Sequence, residues 1–155
     1  MKRIAVIGAG SWGTALAITA SRVGHEVQLW SHNEAVVESI NREHRNARYL
    51  TELQIPDRVR ATDNIVTAVD RAELVILAAP SHATRALLEA MAPAMRAEMI
   101  IVSATKGIEI ETGKRISEIV AEVVHADTSP RFVSLSGPSF AREVVERHPT
   151  AVVAA

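Results

Sequence analysis

Hydrophobic residues along this chain follow two patterns that alternate. Short continuous apolar runs, such as 4–7 and 74–79, are each followed by a segment in which apolar residues recur every three or four positions. Continuous runs of this length, rich in Val and Ile, are typical of strands buried on both faces, and the longer spacing is typical of helices. The alternation therefore predicts an α/β fold: a doubly wound parallel sheet with helices on both faces.

The bounds of the elements follow from the same pattern. Strands are predicted over 4–7, 26–30, 59–62, 74–79, 99–103, 131–135 and 151–155. Helices are predicted over 11–23, 33–42, 64–68, 81–91 and 112–124, and a turn with a short helix over 137–145. Asn33 or Ser31 is expected to cap the helix at 33–42, and Ser81 the helix at 81–91. Residues 43–57 match neither pattern, and a loop of that length in a compact domain is often functional.

A glycine-patterned turn, Gly8-Ala9-Gly10-Ser11-Trp12-Gly13, follows the first apolar run. Gly8 permits the tight turn, and Gly10 lacks the Cβ that would hold a phosphate away from the backbone. Gly13 lets the next helix lie close against the strand, and the N–H groups at the start of that helix can bind phosphate. Because the motif sits within a strand-helix-strand unit, it predicts a dinucleotide site in a Rossmann-type sheet rather than an ordinary turn.

Composition narrows the class of protein. The 155 residues are 48% hydrophobic, which suits one compact domain with a sizeable core. The formal net charge is -1, so no overall field favours nucleic acid or an anionic membrane, and neither partner is expected. No segment has the roughly 18 apolar residues of a membrane span, and no signal peptide is recognised. The absence of cysteine fits a reducing compartment, so we expect a cytoplasmic protein without a metal site.

Ligands of such sheets bind beyond the carboxyl ends of the strands. After the second strand, Ser31 and His32 stand where an Asp or Glu would bind the ribose hydroxyls of NAD. A Ser and a His can donate to a 2′-phosphate instead, and no carboxylate repels it there. NADP is therefore favoured over NAD, although an ordinary surface histidine at a helix start explains His32 equally well.

Two later strand ends also carry candidate chemistry. Lys106, one of three lysines, directly follows a buried strand and could bind an oxyanion, a carbonyl or a substrate hydroxyl; the alternative is a solvated loop lysine. The segment 136–141 opens a short helix and offers N–H groups to a small anion or a hydroxyl. His82, in the first turn of a helix, is interpreted as a capping or packing residue rather than a catalytic one.

Together these motifs resemble the bacterial type of NAD(P)-dependent glycerol-3-phosphate dehydrogenase. The resemblance covers the chain in order: G-A-G-S-W-G at 8–13, G-H-E-V at 24–27, L-W-S-H at 29–32, A-P-S-H at 79–82, A-T-K-G at 104–107, S-G-P-S-F-A at 136–141 and P-T-A at 149–151. The A-T-K-G and S-G-P-S-F-A pair is the more discriminating part, since most dehydrogenases share the glycine turn. The resemblance implies reversible hydride transfer between NAD(P)H and dihydroxyacetone phosphate, giving sn-glycerol 3-phosphate for phospholipid synthesis.

The resemblance also implies roles for individual residues. The cofactor would be bound by Gly8, Gly10, Ser11, Trp12, Gly13, His32, Tyr49, Lys106 and Ala141. His32 would lie at the adenosine ribose or its phosphate, and Tyr49 would close over the cofactor from the long loop. Lys106 would also contact the substrate, together with Gly137 and Ser139.

Proteins of that family carry a second, helical domain that follows the cofactor domain. The resemblance implies that this domain, with the lysine that exchanges a proton with the substrate, is absent from residues 1–155. The end of the chain within the apolar run 151–155 agrees with that interpretation. We therefore expect the chain to bind cofactor without turning over substrate, and the full-length enzyme to be a homodimer. The alternatives are a stand-alone dinucleotide-binding or redox-sensing module and the cofactor domain of another hydroxy-acid dehydrogenase.

Overall fold

The computed structural model describes residues 1–124 and 131–155. The strands in these ranges are β1 (Arg3–Ile7), β2 (Glu26–Trp30), β3 (Val59–Thr62), β4 (Leu74–Leu77), β5 (Ile100–Ser103), β6 (Arg131–Ser136) and β7 (Val153–Ala154). The helices are α1 (Ser11–Arg22), α2 (Glu34–Glu43), α3 (Ile65–Val69), α4 (Ser81–Met91), α5 (Ile116–Val123) and α6 (Ala141–Val145). The strands form a sheet in the order β3-β2-β1-β4-β5-β6-β7.

The strand order reverses at β1, which lies between β2 and β4. Every pairing from β3 across to β6 is parallel, so the carboxyl ends of these strands meet at one edge of the sheet. In doubly wound sheets this edge, at the point of reversal, is where ligands bind. The predicted Rossmann-type architecture is confirmed.

Both faces of β1 are buried. Ile4 and Val6 belong to a hydrophobic cluster formed with α1, α2 and α6, whereas Ala5 and Ile7 belong to a second cluster formed with α3, α4 and α5. Successive side chains of a strand point to opposite faces, so an unbroken apolar run supplies both clusters. This is why the run at 4–7 predicts a central strand with helices on each side.

The last strand departs from the prediction. Residues 151–155 were expected to add a parallel strand, but β7 has two residues and runs antiparallel to β6, with Ser136 opposite Val153 and Leu135 opposite Ala154. The chain thus enters β7 beside the carboxyl end of β6. A parallel strand would require the chain to cross back to the amino end of the sheet, and residues 146–152 after the short α6 return it to the carboxyl end instead.

One predicted cap residue and two predicted element ends differ clearly from the structure. Ser81 is the first residue of α4 and not its cap; Pro80 holds the cap position, where its restricted φ of -59° suits a helix start. β4 ends at Leu77 instead of Ala79. α5 begins at Ile116, four residues later than expected, because Gly113 has a left-handed φ of 71° that no helix contains.

Every helix within the described residues is too short or too polar to span a bilayer.

The first turn of α1 lies very close to the end of β1. A Cβ placed on Gly13 would overlap the carbonyl oxygen of Gly8 and would lie 3.3 Å from the Ala78 Cβ. Backbone atoms cannot move aside as a flexible side chain can. Gly13 therefore has the packing role that the motif predicts for it.

We expect Gly13→Ala to lower the free energy of unfolding by at least about 3 kcal/mol, since the added methyl group meets fixed backbone. Gly10→Ala is the matched control, because no atom lies within 4 Å of the position its Cβ would take. The control should cost no more than about 1 kcal/mol. Urea unfolding of both variants is the measurement, and equal stability of the two would contradict the packing argument.

Candidate functional site

A cavity of about 640 Å³ lies along the carboxyl edge of the sheet. Its walls come from five segments that are distant in sequence. The lining residues are Gly8, Ala9, Gly10, Ser11 and Trp12; Trp30, Ser31, His32, Asn33 and Val36; Arg48 and Tyr49; Ala78, Ala79, Pro80, His82, Ala83 and Leu87; and Ala104, Thr105 and Lys106. Seven of the predicted cofactor residues are thereby brought together: Gly8, Gly10, Ser11, Trp12, His32, Tyr49 and Lys106.

The glycine turn forms the floor of this cavity. Gly8 has a φ of 116°, and a Cβ on it would lie 2.9 Å from the carbonyl oxygen of Ala78, so the turn requires glycine here. Gly10 is the N-cap of α1, and no side chain caps the helix. The first-turn N–H groups at Ser11 and Trp12 are thus available where the cavity is open, which is an arrangement that binds phosphate.

The end of β2 forms one side of the cavity. Ser31 is buried, and its Oγ accepts the backbone N–H of Asn33 at 3.2 Å. Asn33, one of the two predicted candidates, is the residue that caps α2, with its Oδ1 accepting the N–H of Val36 at 3.2 Å. His32 is exposed, with its ring centroid 6.2 Å from that of Trp30. None of the cavity-lining residues in the described part of the chain is Asp or Glu.

One buried amide ties the long loop to the glycine turn. Asn46 is fully buried, and its Nδ2 donates to the carbonyl oxygen of Ala9 and to Thr14 Oγ1, each at 2.9 Å. Its Oδ1 accepts the backbone N–H groups of Arg48 at 3.1 Å and Tyr49 at 3.0 Å. These four bonds use the whole hydrogen-bonding capacity of an amide. Asn46 therefore holds Arg48 and Tyr49 beside the glycine turn.

Tyr49 lines the cavity, and 37% of its surface is exposed; its closing over the cofactor stays a prediction. Its neighbour Arg48 lines the same cavity and was not predicted. The guanidinium carbon of Arg48 lies 5.8 Å from the centroid of the Tyr49 ring, within the range of a cation–π contact. The long loop thus brings a cation and an aromatic ring to the site.

A second, smaller cavity of about 270 Å³ continues from the first at Lys106. The two share Trp12, Ala104, Thr105 and Lys106 as lining residues. The predicted substrate residues Gly137 and Ser139 line the smaller one. Lys106 is therefore placed between a long cavity and a short one, next to the end of β6.

Two predicted site residues line neither cavity. Gly13 is buried beneath the turn, where its role is packing. Ala141, the first residue of α6, is partly buried against the cluster that includes α1. A cofactor contact of either residue stays a prediction. His82, interpreted from sequence as a capping or packing residue, does line the larger cavity.

A buried carboxylate holds the loop that carries Lys106. Glu109, which is 7% exposed, accepts hydrogen bonds from Arg85 Nε at 2.9 Å and Arg85 Nη2 at 2.8 Å. Thr112 Oγ1 donates to the same carboxylate at 2.5 Å, and Arg85 Nη2 also donates to Glu122 at 2.9 Å. Such bidentate, charge-assisted bonds are strong and directional. The loop after β5 is thereby attached to both α4 and α5.

These contacts also shift the pKa values of the charged groups in the network formed by Arg85, Glu109 and Glu122. The hydrogen bonds from Arg85 and then Thr112 lower the pKa of Glu109 to about 2, although burial acts in the opposite direction. Lys114 and then Arg85 lower the pKa of Glu122. The two carboxylates raise the pKa of Arg85 above its ordinary value. The network is therefore fully charged at neutral pH.

Comparison with protein families gives a direct match. The model for the N-terminus of NAD-dependent glycerol-3-phosphate dehydrogenase matches residues 3–155. The chain belongs to this family. The expected resemblance and its coverage of the chain are confirmed.

Individual relatives agree with the glycerol-3-phosphate dehydrogenase family assignment. A glycerol-3-phosphate dehydrogenase (NAD(P)+) of Koribacter versatilis is 48% identical over 156 residues, covering 100% of this chain and 46% of the relative. The corresponding protein of Lysinibacillus sphaericus is 43% identical over 155 residues with the same coverage. The crystal structure of glycerol-3-phosphate dehydrogenase from Coxiella burnetii has a TM-score of 0.87 and 33% identity, covering 97% of this chain and 45% of that one. The chain thus spans about half the length of these relatives.

Three residues at the site of this family member were not predicted from sequence. Asn46 lies in a polar loop, where an asparagine cannot be told from a turn residue until its partners 32 and 37 positions away are known. Arg48 is one of several arginines in that loop, and only its neighbour Tyr49 marks the position. Glu109 follows the A-T-K-G motif by two residues, and its burial could not be expected without knowing that Arg85 faces it.

We expect Asn46→Leu to lower the free energy of unfolding by about 2–4 kcal/mol, because the four hydrogen bonds of the buried Asn46 amide are lost. It should also weaken dinucleotide binding at least about tenfold, since Arg48 and Tyr49 are released. Calorimetric titration and urea unfolding measure the two effects.

Asn41→Leu is the matched control for this experiment. The Asn41 side-chain amide also forms two hydrogen bonds to backbone: it donates to the Ala61 carbonyl oxygen and accepts the Ala61 N–H, each at 2.9 Å. Asn41 does not line the cavity. Its replacement should destabilise the fold and leave the affinity unchanged. If both variants lost affinity equally, Asn46 would have no specific role in the site.

Because the pKa of Glu109 is lowered in the folded protein, the stability that its carboxylate contributes should decrease as the pH falls. Because the folded pKa is about 2 and the ordinary value is 4.5, the stabilisation by the carboxylate is complete above pH 4.5 and declines as pH falls toward 2. The stability difference between wild type and Glu109→Gln should therefore shrink over that range in urea unfolding. Glu111→Gln, at an exposed position in the same loop, should show a difference from wild type that does not follow this course.

Proposed function

We propose that this chain is the cofactor-binding half of a glycerol-3-phosphate dehydrogenase, which transfers hydride reversibly between NAD(P)H and dihydroxyacetone phosphate. The observation that carries the proposal is the continuity of the two cavities at Lys106. A long cavity over an uncapped helix start suits a dinucleotide, and a short cavity beside its end suits a small second reactant. The names of the relatives supply the identity of that reactant.

The larger cavity offers what a dinucleotide needs along its length. The N–H groups of the first turn of α1 would bind the pyrophosphate, aided by the helix dipole. His32 and Tyr49 would flank the adenosine end and Lys106 the nicotinamide end. NADP is favoured over NAD, because the end of β2 carries no carboxylate that would repel a 2′-phosphate.

The smaller cavity would hold dihydroxyacetone phosphate. A reduced nicotinamide bound in the larger cavity would supply the hydride for C2 of this substrate. The ammonium of Lys106 would donate a hydrogen bond to the substrate and to the cofactor, while Gly137 and Ser139 would hold the substrate from the other side. The carbonyl oxygen on C2 takes up one proton as the hydride arrives, so the products are sn-glycerol 3-phosphate and oxidised cofactor.

We place the donor of that proton outside this chain. The relatives are about twice as long as the matched region, and the resemblance gives them a second, helical domain with the lysine that exchanges the proton. In this proposal residues 1–155 are the dinucleotide-binding domain, and none of them is the general acid or base. The chain alone would bind cofactor and lack turnover.

The proposal also covers the oligomeric state, the location and the partners of the full protein. It would act as a homodimer in the cytoplasm, on small molecules and not on nucleic acid, and would provide glycerol 3-phosphate for phospholipid synthesis. The near-neutral balance of charge supports the absence of a nucleic-acid partner, since binding to a phosphate backbone needs a basic surface.

The other candidate functions are less well supported. A stand-alone dinucleotide-binding or redox-sensing module has no need of a second cavity with a lysine at its entrance. Another hydroxy-acid dehydrogenase could use such a cavity, but the family match favours the glycerol-3-phosphate enzymes.

The test uses Gly10→Val, with Gly10→Ala as a graded control. The branched side chain would fill the space where the pyrophosphate lies, and it meets no protein atom within 4 Å at its Cβ, so the fold should be retained. We expect NADPH and NADH to bind the wild-type chain and to bind Gly10→Val at least about a hundredfold more weakly. Quenching of Trp12 and Trp30, the two tryptophans of the chain, follows binding directly because both line the cavity.

Adding dihydroxyacetone phosphate to the wild-type chain with NADPH completes the experiment. We expect no sustained oxidation of NADPH. Unchanged affinity in a folded Gly10→Val variant would refute the cofactor site. Sustained oxidation with stoichiometric formation of glycerol 3-phosphate would refute the assignment of proton transfer to a second domain.

A further inference from the structure

Two cationic side chains, Arg48 and Lys106, line the larger cavity and come from different loops. Lys106 follows β5. Arg48 lies in the loop between α2 and β3, on the β2 side of the sheet, and Asn46 holds it beside the glycine turn after β1. β2 and β5 are three strand spacings apart, or about 14 Å. The segment between β2 and β3 therefore gives the cavity a cation of its own, on a loop separate from that of Lys106.

The other polar groups that line the cavity from this segment carry no fixed charge. The Ser31 hydroxyl accepts the Asn33 backbone N–H, and the side-chain Oδ1 of Asn33 accepts the Val36 N–H and so caps α2. His32 is an exposed imidazole. A guanidinium is charged at every physiological pH. Among the cavity-lining residues between β2 and β3, Arg48 is the one with a permanent positive charge.

Arg48 is held in place but not neutralised. Its backbone N–H is bound by Asn46, and its guanidinium lies over the ring of Tyr49. Within residues 1–124 and 131–155 it forms no ion pair, and no carboxylate lines the cavity around it. Its planar set of N–H donors is thus available to a ligand, and it matches the oxygens of a phosphate monoester in a bidentate geometry.

We propose that Arg48 binds the 2′-phosphate of NADP(H) and sets the preference of this chain for NADP over NAD. The inference rests on the proposed function, in which a dinucleotide lies with its adenosine at the end of β2. NADP carries a dianionic phosphate on the adenosine ribose where NAD carries a hydroxyl. The guanidinium gives that phosphate a counter-charge, and the end of β2, where NAD-specific domains place a carboxylate, has no carboxylate to repel it.

The test compares the affinities of NADPH and NADH in three variants. Arg48→Gln should bind NADPH about tenfold to a hundredfold more weakly, the loss of one charge-assisted contact, while its affinity for NADH changes less than about twofold. Arg48→Lys should keep part of the NADPH affinity, because a lysine restores the charge but not the bidentate geometry. Arg45→Gln removes an exposed arginine of the same loop that does not line the cavity, and should change neither affinity.

A competition experiment identifies the group that is bound. Adenosine 2′-monophosphate should displace NADPH from wild type better than adenosine 5′-monophosphate does, and this advantage should vanish in Arg48→Gln. Equal losses of NADPH and NADH affinity in Arg48→Gln, or no loss of either, would overturn this inference while leaving the cofactor site intact. A wild-type chain that binds neither NADPH nor NADH would overturn the proposed function and this inference together.

Discussion

The carboxyl edge of the sheet depends on how closely α1 lies against β1. Three backbone segments meet there without intervening side chains: the turn at Gly8, the first turn of α1 at Gly13, and the chain passing from β4 at Ala78. A Cβ at either glycine would strike backbone atoms. The contact brings the uncapped start of α1 over the end of β1, an arrangement that suits the binding of an anion.

The remaining walls of the site are loops, and buried polar groups hold them. Asn46 fixes the loop that carries Arg48 and Tyr49, while Glu109 fixes the loop that carries Lys106. Burying an amide or a carboxylate is unfavourable unless its hydrogen bonds are complete. Each group is fully partnered, the amide by four bonds and the carboxylate by Arg85 and Thr112. These loops thereby gain defined positions that their short-range sequence does not specify.

The sequence predicted what depends on neighbouring residues. The apolar run 4–7 identified a strand buried on both faces, the glycine spacing identified the turn, and the end of each parallel strand indicated where site residues gather. It did not predict the direction of β7, because that depends on the route of residues 146–152 around α6. Nor did it show that Asn46 and Glu109 are buried, since their partners lie 24 to 37 positions away. The family resemblance drew attention to Tyr49, whereas the position of Arg48 beside the cavity was known only from the structure.

The alternation of side chains along β1 has a consequence for how the domain melts. Ile4 and Val6 help to hold one layer of helices, and Ala5 and Ile7 the other, so neither layer can leave the sheet without exposing a strand that the other layer needs. Such shared burial makes unfolding a single cooperative transition. A ligand in the cavity at the end of β1 therefore raises the stability of the whole domain, by an amount that grows with the logarithm of its concentration relative to its Kd. Even α3 and α5, which contribute no residue to the cavity wall, should then melt later when the cavity is occupied.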